Sequence, residues 1–562
     1  MSATPRGFRD ILPEEALVRE DIADTVRRVL RKAGYLPVET PLLEDRAALE
    51  GRGRAAETPF QLFDDDGRLM VVRPDNTRSV ARLVTARLRE AALPLRLRYE
   101  APVVRGRVRL AGGARQFTQL GFELIGAGGA VGDAEAVRLV LTALQALDIS
   151  DVRLVCGSVR PFTALLAHAN DAELARDALA LVHANNLVDL DERVAEAGLA
   201  PELARAISQV PRLAGGVEVL DEVDALSAAA GAGTGSTDEL RALLDELART
   251  GVDAAPLTFD FSVMSSFAYY TGLVLEVYAA GLADPVGSGG RYDATFEGAF
   301  AAAPHVPAAG FAFSLEQLAA ARAASRRRCS ASGGACDEDP LRIAVPKGSL
   351  FADTLAALEA AGLSVDELRD PGRRLIVRGA DCAPGAPGGH VGPVEYVIVR
   401  ASDAPAFVAC GGAACGLCGR DSLIEAGLDQ LELLDMGYGA CRFIEAESAD
   451  RAGEAERAYA QRGSLRVATK YPRIAAAWYE GRGITADIIA LHGNIELGPI
   501  VGLSDRIVDI TATGTTLREN NLVVTGEVMA CTARFFANPG PARLDPRVRA
   551  LAARLSAVAA AR

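Results

Sequence analysis

Apolar residues recur along this chain in two rhythms, and the change between them falls near residue 335. In the first part, "LVREDIADTVRRVLRKAGY" (17–35) repeats them every three or four positions, which predicts an amphipathic helix. "LRLRYEAPVVRG" and "FTQLGFELIG" instead interleave apolar with charged residues. Long strands of that kind predict an antiparallel sheet with one open face. A helical stretch is expected over residues 160–250, broken by a loop at "SAAAGAGTGSTDE". In the second part, the short apolar runs "EYVIVR", "LRVATK", "DIIAL" and "RIVDI" alternate with helical segments. That alternation predicts an α/β domain with mainly parallel sheets. Between the two parts, residues 321–340 pass from basic to Ser/Gly-rich to acidic without apolar rhythm and end in proline, the pattern of a linker. The predicted division is 1–322, a linker at 323–340, and 341–562.

Length and charge narrow the class. A chain of 562 residues is too long for one core and suggests roughly three or four domains. Hydrophobic residues at 49% with 24% charged are ordinary for a soluble folded protein. A net charge of −14 argues against a broad nucleic-acid or anionic-membrane surface. No uncharged apolar run reaches the roughly 20 residues of a membrane span. The start, "MSATPRGFRDILPEE", lacks the apolar core of a signal peptide, so a cytoplasmic protein is expected.

The nine cysteines do not make a disulfide framework in so long a chain. Cys410, Cys415 and Cys418, with His390 upstream, contain one CxxC. A structural zinc site needs a second ligand pair, which is missing, so small residues in a Gly/Ala-rich strand and turn are the favoured reading and no metal ligand is assigned.

The densest chemistry lies at "DITATGTTL" (509–517), where an acid ends an apolar strand and four threonines surround one glycine. A strand-to-helix turn at the carboxyl edge of a parallel sheet is where α/β proteins hold ligands. Its amides and hydroxyls suit a phosphate monoester, and Asp509 ahead of them suits sugar hydroxyls, a pairing that fits a ribose 5-phosphate. No Walker lysine is present. A threonine-rich helix cap satisfying its own amides is the structural alternative.

"LRIAVPKGSL" (341–350), "TKYPRIAAAWYEGRG" (469–483) and "LHGNIELGPIVGLSDRIVDITATGTTLRENNL" (491–522) together resemble short-form ATP phosphoribosyltransferase, over residues 341–540. The resemblance implies a bilobal, periplasmic-binding-protein-like fold and the condensation of ATP with 5-phosphoribosyl 1-pyrophosphate (PRPP), with Mg²⁺ carried by the substrate phosphates. It places Lys347, Lys470, Glu496 and Asp509 in the catalytic cleft. Asp509 and Thr511, Ala512, Thr513, Gly514, Thr515 and Thr516 would hold PRPP, and Arg373 or Arg374 would meet polyphosphate. Two departures stand out: Ala414 in "AACGLCGRD" replaces an acid, although Asp421 and Glu425 remain, and Asn494 in "GNIEL" replaces a common serine.

"GYLPVETPLLE" (34–44), "VVRPDNTRSVARL" (71–83), "RYEAPVVRGRVRLAGGARQFTQLGFELIG" (98–126), "SSFAYYTGLVLEVY" (265–278) and "GSGGRYDATF" (287–296) resemble the core of histidyl-tRNA synthetase, over residues 5–320. That implies a class II α+β synthetase fold. Three ATP-handling groups of that family are replaced here, by Arg107 in "RGR", Ser265 in "SSFAYY" and Gln317 in "FSLEQL". Serine and glutamine cannot replace a bidentate guanidinium on phosphate, so aminoacylation is not expected. The amino-acid side of the pocket persists: Asp75, Thr77, Gln119, Glu123, Tyr269 and Tyr270 would hold histidine. The six arginines within 96–115 read as an interface hairpin rather than an RNA site. The whole resembles the transferase's synthetase-like regulatory subunit fused to its catalytic partner, with L-histidine as feedback inhibitor and a homotetramer of fused chains expected. A histidine-activating or RNA-binding paralogue and a non-catalytic small-molecule binding protein are the alternatives.

Overall fold

The computed structural model describes residues 4–46, 60–105, 114–263, 270–296, 300, 305–331, 339–511 and 515–561. They fall into two compact units: one of residues 1–337 together with Pro539–Leu544, the other of residues 338–538 and 545–562.

The first unit is built on a nine-stranded sheet. Its strands run, edge to edge, Leu36–Pro37, Leu95–Val104, Gln116–Ile125, Ala308–Ser314, Gly287–Arg291, Leu273–Ala279, Val152–Ser158, Leu257–Asp260 and Ala214–Gly215. Pairing is antiparallel except at Leu36–Pro37 with Leu95–Val104 and at Val152–Ser158 with Leu257–Asp260. The expected open face is found at Leu95–Val104, where Leu97, Tyr99 and Val103 are buried while Glu100 and Pro102 are exposed, and it closes toward the middle of the sheet. Leu273–Ala279 is buried at six of its seven positions, so neighbours cover both sets of alternating side chains. One cover is helical: Pro13–Lys32 buries Ile22, Val26 and Leu30 in the same core as Val137, Val140 and Leu144 of Gly129–Ala146.

The expected helical stretch comprises six α-helices from Arg160 to Arg249, with a 3-10 turn at Val210–Arg212 and the short strand Ala214–Gly215 between the fourth and fifth, and a break between Ala229 and Asp238. The last, Asp238–Arg249, buries Leu240, Leu243 and Leu247, one stripe at helical spacing. Asp171 caps another, accepting from the amides of Glu173 and Leu174 at 2.9 Å, a contact worth about 1 kcal/mol. The stretch expected as a linker begins otherwise: helix Leu315–Ala331 runs well into it. Its alanines and arginines are strong helix formers. Ala321, Ala324 and Ser325 are buried, and Arg322 pairs with Asp21 on Pro13–Lys32 at 2.6 Å.

The second unit contains two sheets. One runs Ile376–Gly379, Val394–Arg400, Leu341–Lys347, Cys415–Gly419, Ala533–Ala537, Leu431–Asp435, and the other Ala486–Ala490, Leu465–Thr469, Arg506–Thr511, Cys441–Ser448, Leu522–Cys531. The expectation of mainly parallel sheets is corrected to mixed ones. Parallel pairs form the heart of each, but Ala533–Ala537 and Cys441–Ser448 run antiparallel to their neighbours. The cause is connectivity. The chain passes from the first sheet to the second through residues 436–440 and returns through Thr532, and each crossing strand enters its new sheet against the parallel set.

Among the described residues no helix is long and apolar enough to cross a membrane. Cys415 and Cys418 occupy positions of opposite parity in one buried strand, so they face opposite sides and cannot chelate one ion. His390 Nδ1 lies 3.2 Å from Asp381.

Candidate active site

In the second unit, the carboxyl ends of the parallel strands collect the predicted residues. Lys347 ends Leu341–Lys347, and its register partner Arg400 ends Val394–Arg400; both are exposed. Arg400 was not singled out from sequence, where it is only the last letter of "EYVIVR". Ile376 pairs with Val397 in antiparallel register, so Arg373 and Arg374 precede their strand at this same edge. Arg374 is committed to Glu367 at 2.9 Å, whereas Arg373 is exposed. Asp421 lies in the first turn of the helix Arg420–Ala426, which follows Cys415–Gly419.

In the other sheet, Lys470 follows Leu465–Thr469 directly, and Asp509 lies near the end of Arg506–Thr511. Glu496 precedes the short helix Leu497–Ile500. Thr511 is the last residue of its strand. Ala512, Thr513 and Gly514 lie outside the described residues, and Thr515 and Thr516 begin the helix Thr515–Glu519.

Electrostatics link these groups. Burial raises the Asp509 carboxyl to about 6; its backbone contact with Ile510 and the charge of Lys470 oppose the rise, while Glu496 adds to it. Burial likewise raises Asp421, again against Lys470. One ammonium therefore acts on carboxylates from both sheets. Tyr471, missed in the sequence, has its ring 5.9 Å from the Lys470 ammonium and 4.7 Å from the Phe443 ring. Its hydroxyl is raised by burial and by Asp421 and Asp509.

Both sequence departures acquire a physical meaning. Ala414 stands just before the amino end of its strand, held by backbone bonds to Arg342 and Asn538. That is the end opposite Asp421. Asn494 has φ of +51°, a left-handed conformation that asparagine tolerates better than serine. Glu425 accepts from the amides of Arg473 and Ile474 and thereby caps the helix Pro472–Glu480, so it serves the scaffold.

The first unit assembles a second polar site. Glu123 is 1% exposed, in register between Leu97 and Gly310. Tyr99 donates to it at 3.2 Å, and Tyr292 donates to its other oxygen. Thr77 also hydrogen-bonds it, and Asp75, 6% exposed, adds a repelling charge. Burial dominates and raises Glu123 to about 8. A Cβ at Gly310 would lie 1.7 Å from its carboxylate, and one at Gly121 would lie 2.4 Å from the Tyr99 hydroxyl, so both close approaches require glycine. Gln119 is partly spent on scaffold, its carbonyl accepting from both nitrogens of Asn76 at 3.0 and 2.9 Å. Tyr270 packs against Gly290, while Tyr269, Ser265 and Arg107 lie outside the described residues. Tyr99 and Tyr292 were missed because strand periodicity does not reveal which buried tyrosines share an acid.

A stability prediction follows. Folded Glu123 keeps its proton up to about pH 8, whereas the unfolded chain loses it near 4.5, so stability falls as pH rises between those values. Glu123→Gln should match the parent near pH 5 and exceed it at pH 9 by on the order of a few kcal/mol, read from urea midpoints. Parallel pH curves for both proteins would refute a neutral Glu123.

Comparison with known proteins bears on both units. A family model described as "Histidyl-tRNA synthetase" matches residues 7–318, and one described as "ATP phosphoribosyltransferase" matches residues 400–557. The ATP phosphoribosyltransferase of Rubrobacter xylanophilus is 50% identical over 204 residues, 36% of this chain and 89% of that protein. The chain belongs to the ATP phosphoribosyltransferase family, with a first half of the histidyl-tRNA synthetase family. The ATP phosphoribosyltransferase regulatory subunit of Moorella thermoacetica is 35% identical over 325 residues, 57% of this chain and 81% of that protein. The chain thus joins an ATP phosphoribosyltransferase part to a synthetase-like regulatory part. A solved regulatory subunit/histidyl-tRNA synthetase from Bacillus halodurans is 27% identical with a TM-score of 0.49, covering 64% of this chain and 89% of that one.

Proposed function

We propose that the carboxyl edges of the two sheets in the second unit form the cleft in which ATP and PRPP react, within a periplasmic-binding-protein-like arrangement of two lobes. The reaction condenses ATP with PRPP to N1-(5-phosphoribosyl)-ATP and pyrophosphate, the first step of histidine biosynthesis. Asp509 accepts from the ribose hydroxyls, and Thr511 with the turn through Thr516 receives the 5-phosphate. As adenine N1 displaces pyrophosphate, positive charge gathers on ribose and negative charge on the leaving group. Lys347 and Arg400, with Arg373, face the departing phosphates, and Lys470 balances Asp421 and Asp509. Among the described residues no cluster of three acids, histidines or cysteines could hold a metal, and Mg²⁺ would ride on the substrate phosphates and would supply positive charge there.

The observation that carries this reading is Asp509, half-buried near the end of a parallel strand, where the charges of Glu496 and Lys470 both act on it. The test mixes the full chain with ATP, PRPP and Mg²⁺ and follows the adduct's ultraviolet absorbance. Formation of the adduct is expected; no adduct would end the proposal.

For residues 1–322 we infer a regulatory role, with histidine held by Asp75, Thr77, Glu123, Tyr269 and Tyr270 and by the remaining hydrogen-bonding capacity of Gln119. Histidine lowers turnover by favouring a less active arrangement. In the same assay, added histidine should slow the intact chain, and Glu123→Gln should weaken that effect at unchanged basal rate. A rate indifferent to histidine would remove the regulatory assignment. Light scattering should give a tetramer of fused chains.

A further inference from the structure

Two thiols take no part in the reaction above yet sit beside its cleft. Cys441 and Cys531 are register partners on the antiparallel strands Cys441–Ser448 and Leu522–Cys531. Antiparallel partners hold their Cα atoms about 4.5–5.5 Å apart. That lies inside the roughly 4.4–6.8 Å span a disulfide requires.

Their places along the chain are equally specific. Cys441 is the first residue after the crossing at 436–440, and Cys531 is the last before the crossing at Thr532. These are the two passages that join the sheets of the second unit, and the first contains Gly437 and Gly439, each at φ +69°. A covalent bond here would staple both crossings at one level. Asp421 acts electrostatically on both sulfurs, and both sulfurs act on Tyr471.

The thiols hydrogen-bond each other, which holds Cys441 below the usual thiol range and raises its partner. Cys441 is half-buried and reachable, while Cys531 is buried behind it. That is the disposition of an attacking and a resolving thiol. Among the described residues the other buried cysteines lack one element or another. Cys156 is buried and pushed up to about 12, and Cys415 and Cys418 face opposite sides of one strand.

We propose that Cys441 and Cys531 form a reversible dithiol–disulfide site, oxidised by low-molecular-weight disulfides such as glutathione disulfide, whose closure slows the transferase. The Cys441 thiolate attacks one sulfur of the small disulfide, forming a mixed disulfide and releasing one thiolate. The Cys531 thiol loses its proton and attacks the Cys441 sulfur, expelling the second thiolate. The small disulfide is reduced to two thiols, and the protein dithiol is oxidised to one disulfide. The effect on turnover rests on the proposed placement of the cleft, but formation of the bond does not.

The test incubates the reduced full chain with glutathione disulfide, alkylates the remaining thiols and maps peptides by mass. The expected result is a peptide pair linked through Cys441 and Cys531, with turnover of ATP and PRPP lower by about fivefold or more and restored by dithiothreitol. Cys441→Ser should resist the oxidant and Cys531→Ala should stop at a glutathione adduct on Cys441 with no linked pair, while each retains the parent's rate before oxidation. In the parent, absence of the linked pair, or a lasting glutathione adduct on Cys441, would overturn the site. A linked pair with unchanged turnover would overturn its regulatory effect. Because linkage is read by mass, its failure is distinguishable from failure of the catalytic reading.

Discussion

Asp509→Asn should lower kcat/KM for PRPP by about tenfold to a hundred-and-fiftyfold, corresponding to the roughly 1.5–3 kcal/mol of a hydrogen bond to a charged group. The substitution keeps the shape and removes the charge, so the loss reports the carboxylate and not the packing. The pH profile supplies a second readout. An ordinary aspartate stays ionised down to about pH 4. Asp509 is raised to about 6 by burial, so its charge is lost as pH falls through that value. The parent should therefore lose kcat/KM for PRPP below about pH 6, and the variant should lack that acid limb. Wild-type kcat/KM in the variant would remove Asp509 from ribose recognition, and an unchanged acid limb would assign that titration to another group.

The second large effect belongs to stability. Arg543→Met should destabilise the first unit by about 3–5 kcal/mol, the usual cost of breaking a buried ion pair from one side. Arg543 lies in Pro539–Leu544, which packs as part of that unit. Its guanidinium sits 3.2 Å from both Asp260 and Glu276, donates to the Tyr278 hydroxyl and reaches the Ser262 hydroxyl at 3.4 Å. The arginine side chain is 6% exposed and Asp260 5%. Burial acts to lower the arginine, yet Tyr278, Asp260 and Glu276 together raise it above its ordinary value. Methionine fills a similar volume but deprives two carboxylates of the cation they share. Calorimetry of the full chain should show the first unit's transition moved down. Arg543→Lys should fall between, because one ammonium cannot serve the same acceptors in a planar fork. A shift under about 1 kcal/mol for the methionine variant would mean that solvent already screens the cluster.

Legibility in the sequence followed the range of the forces involved. The helix Pro13–Lys32 and the strands Leu95–Val104 and Gln116–Ile125 were readable because their apolar spacing is local. The helix through residues 323–331 was not, because its mixed composition gives no stripe and the burial of Ala324 and Ser325 is set by distant segments, Ser325 donating to the carbonyl of Ser150. In the cleft, Lys470 and Asp509 were found through motif order. Arg400 and Tyr471 escaped because nothing local in "EYVIVR" or "KYP" says which strand end lies beside which.

By itself the amino-acid order determined the alternation of strand and helix, the change of rhythm near residue 335 and the two family likenesses. Each is written in neighbours a few positions apart. Only the tertiary structure decided that Glu123 meets Tyr99 and Tyr292, that Cys441 opposes Cys531, and that Pro539–Leu544 packs with the first unit. Those outcomes depend on strand register and on which residues exclude water together, and both are set by contacts between segments far apart along the chain.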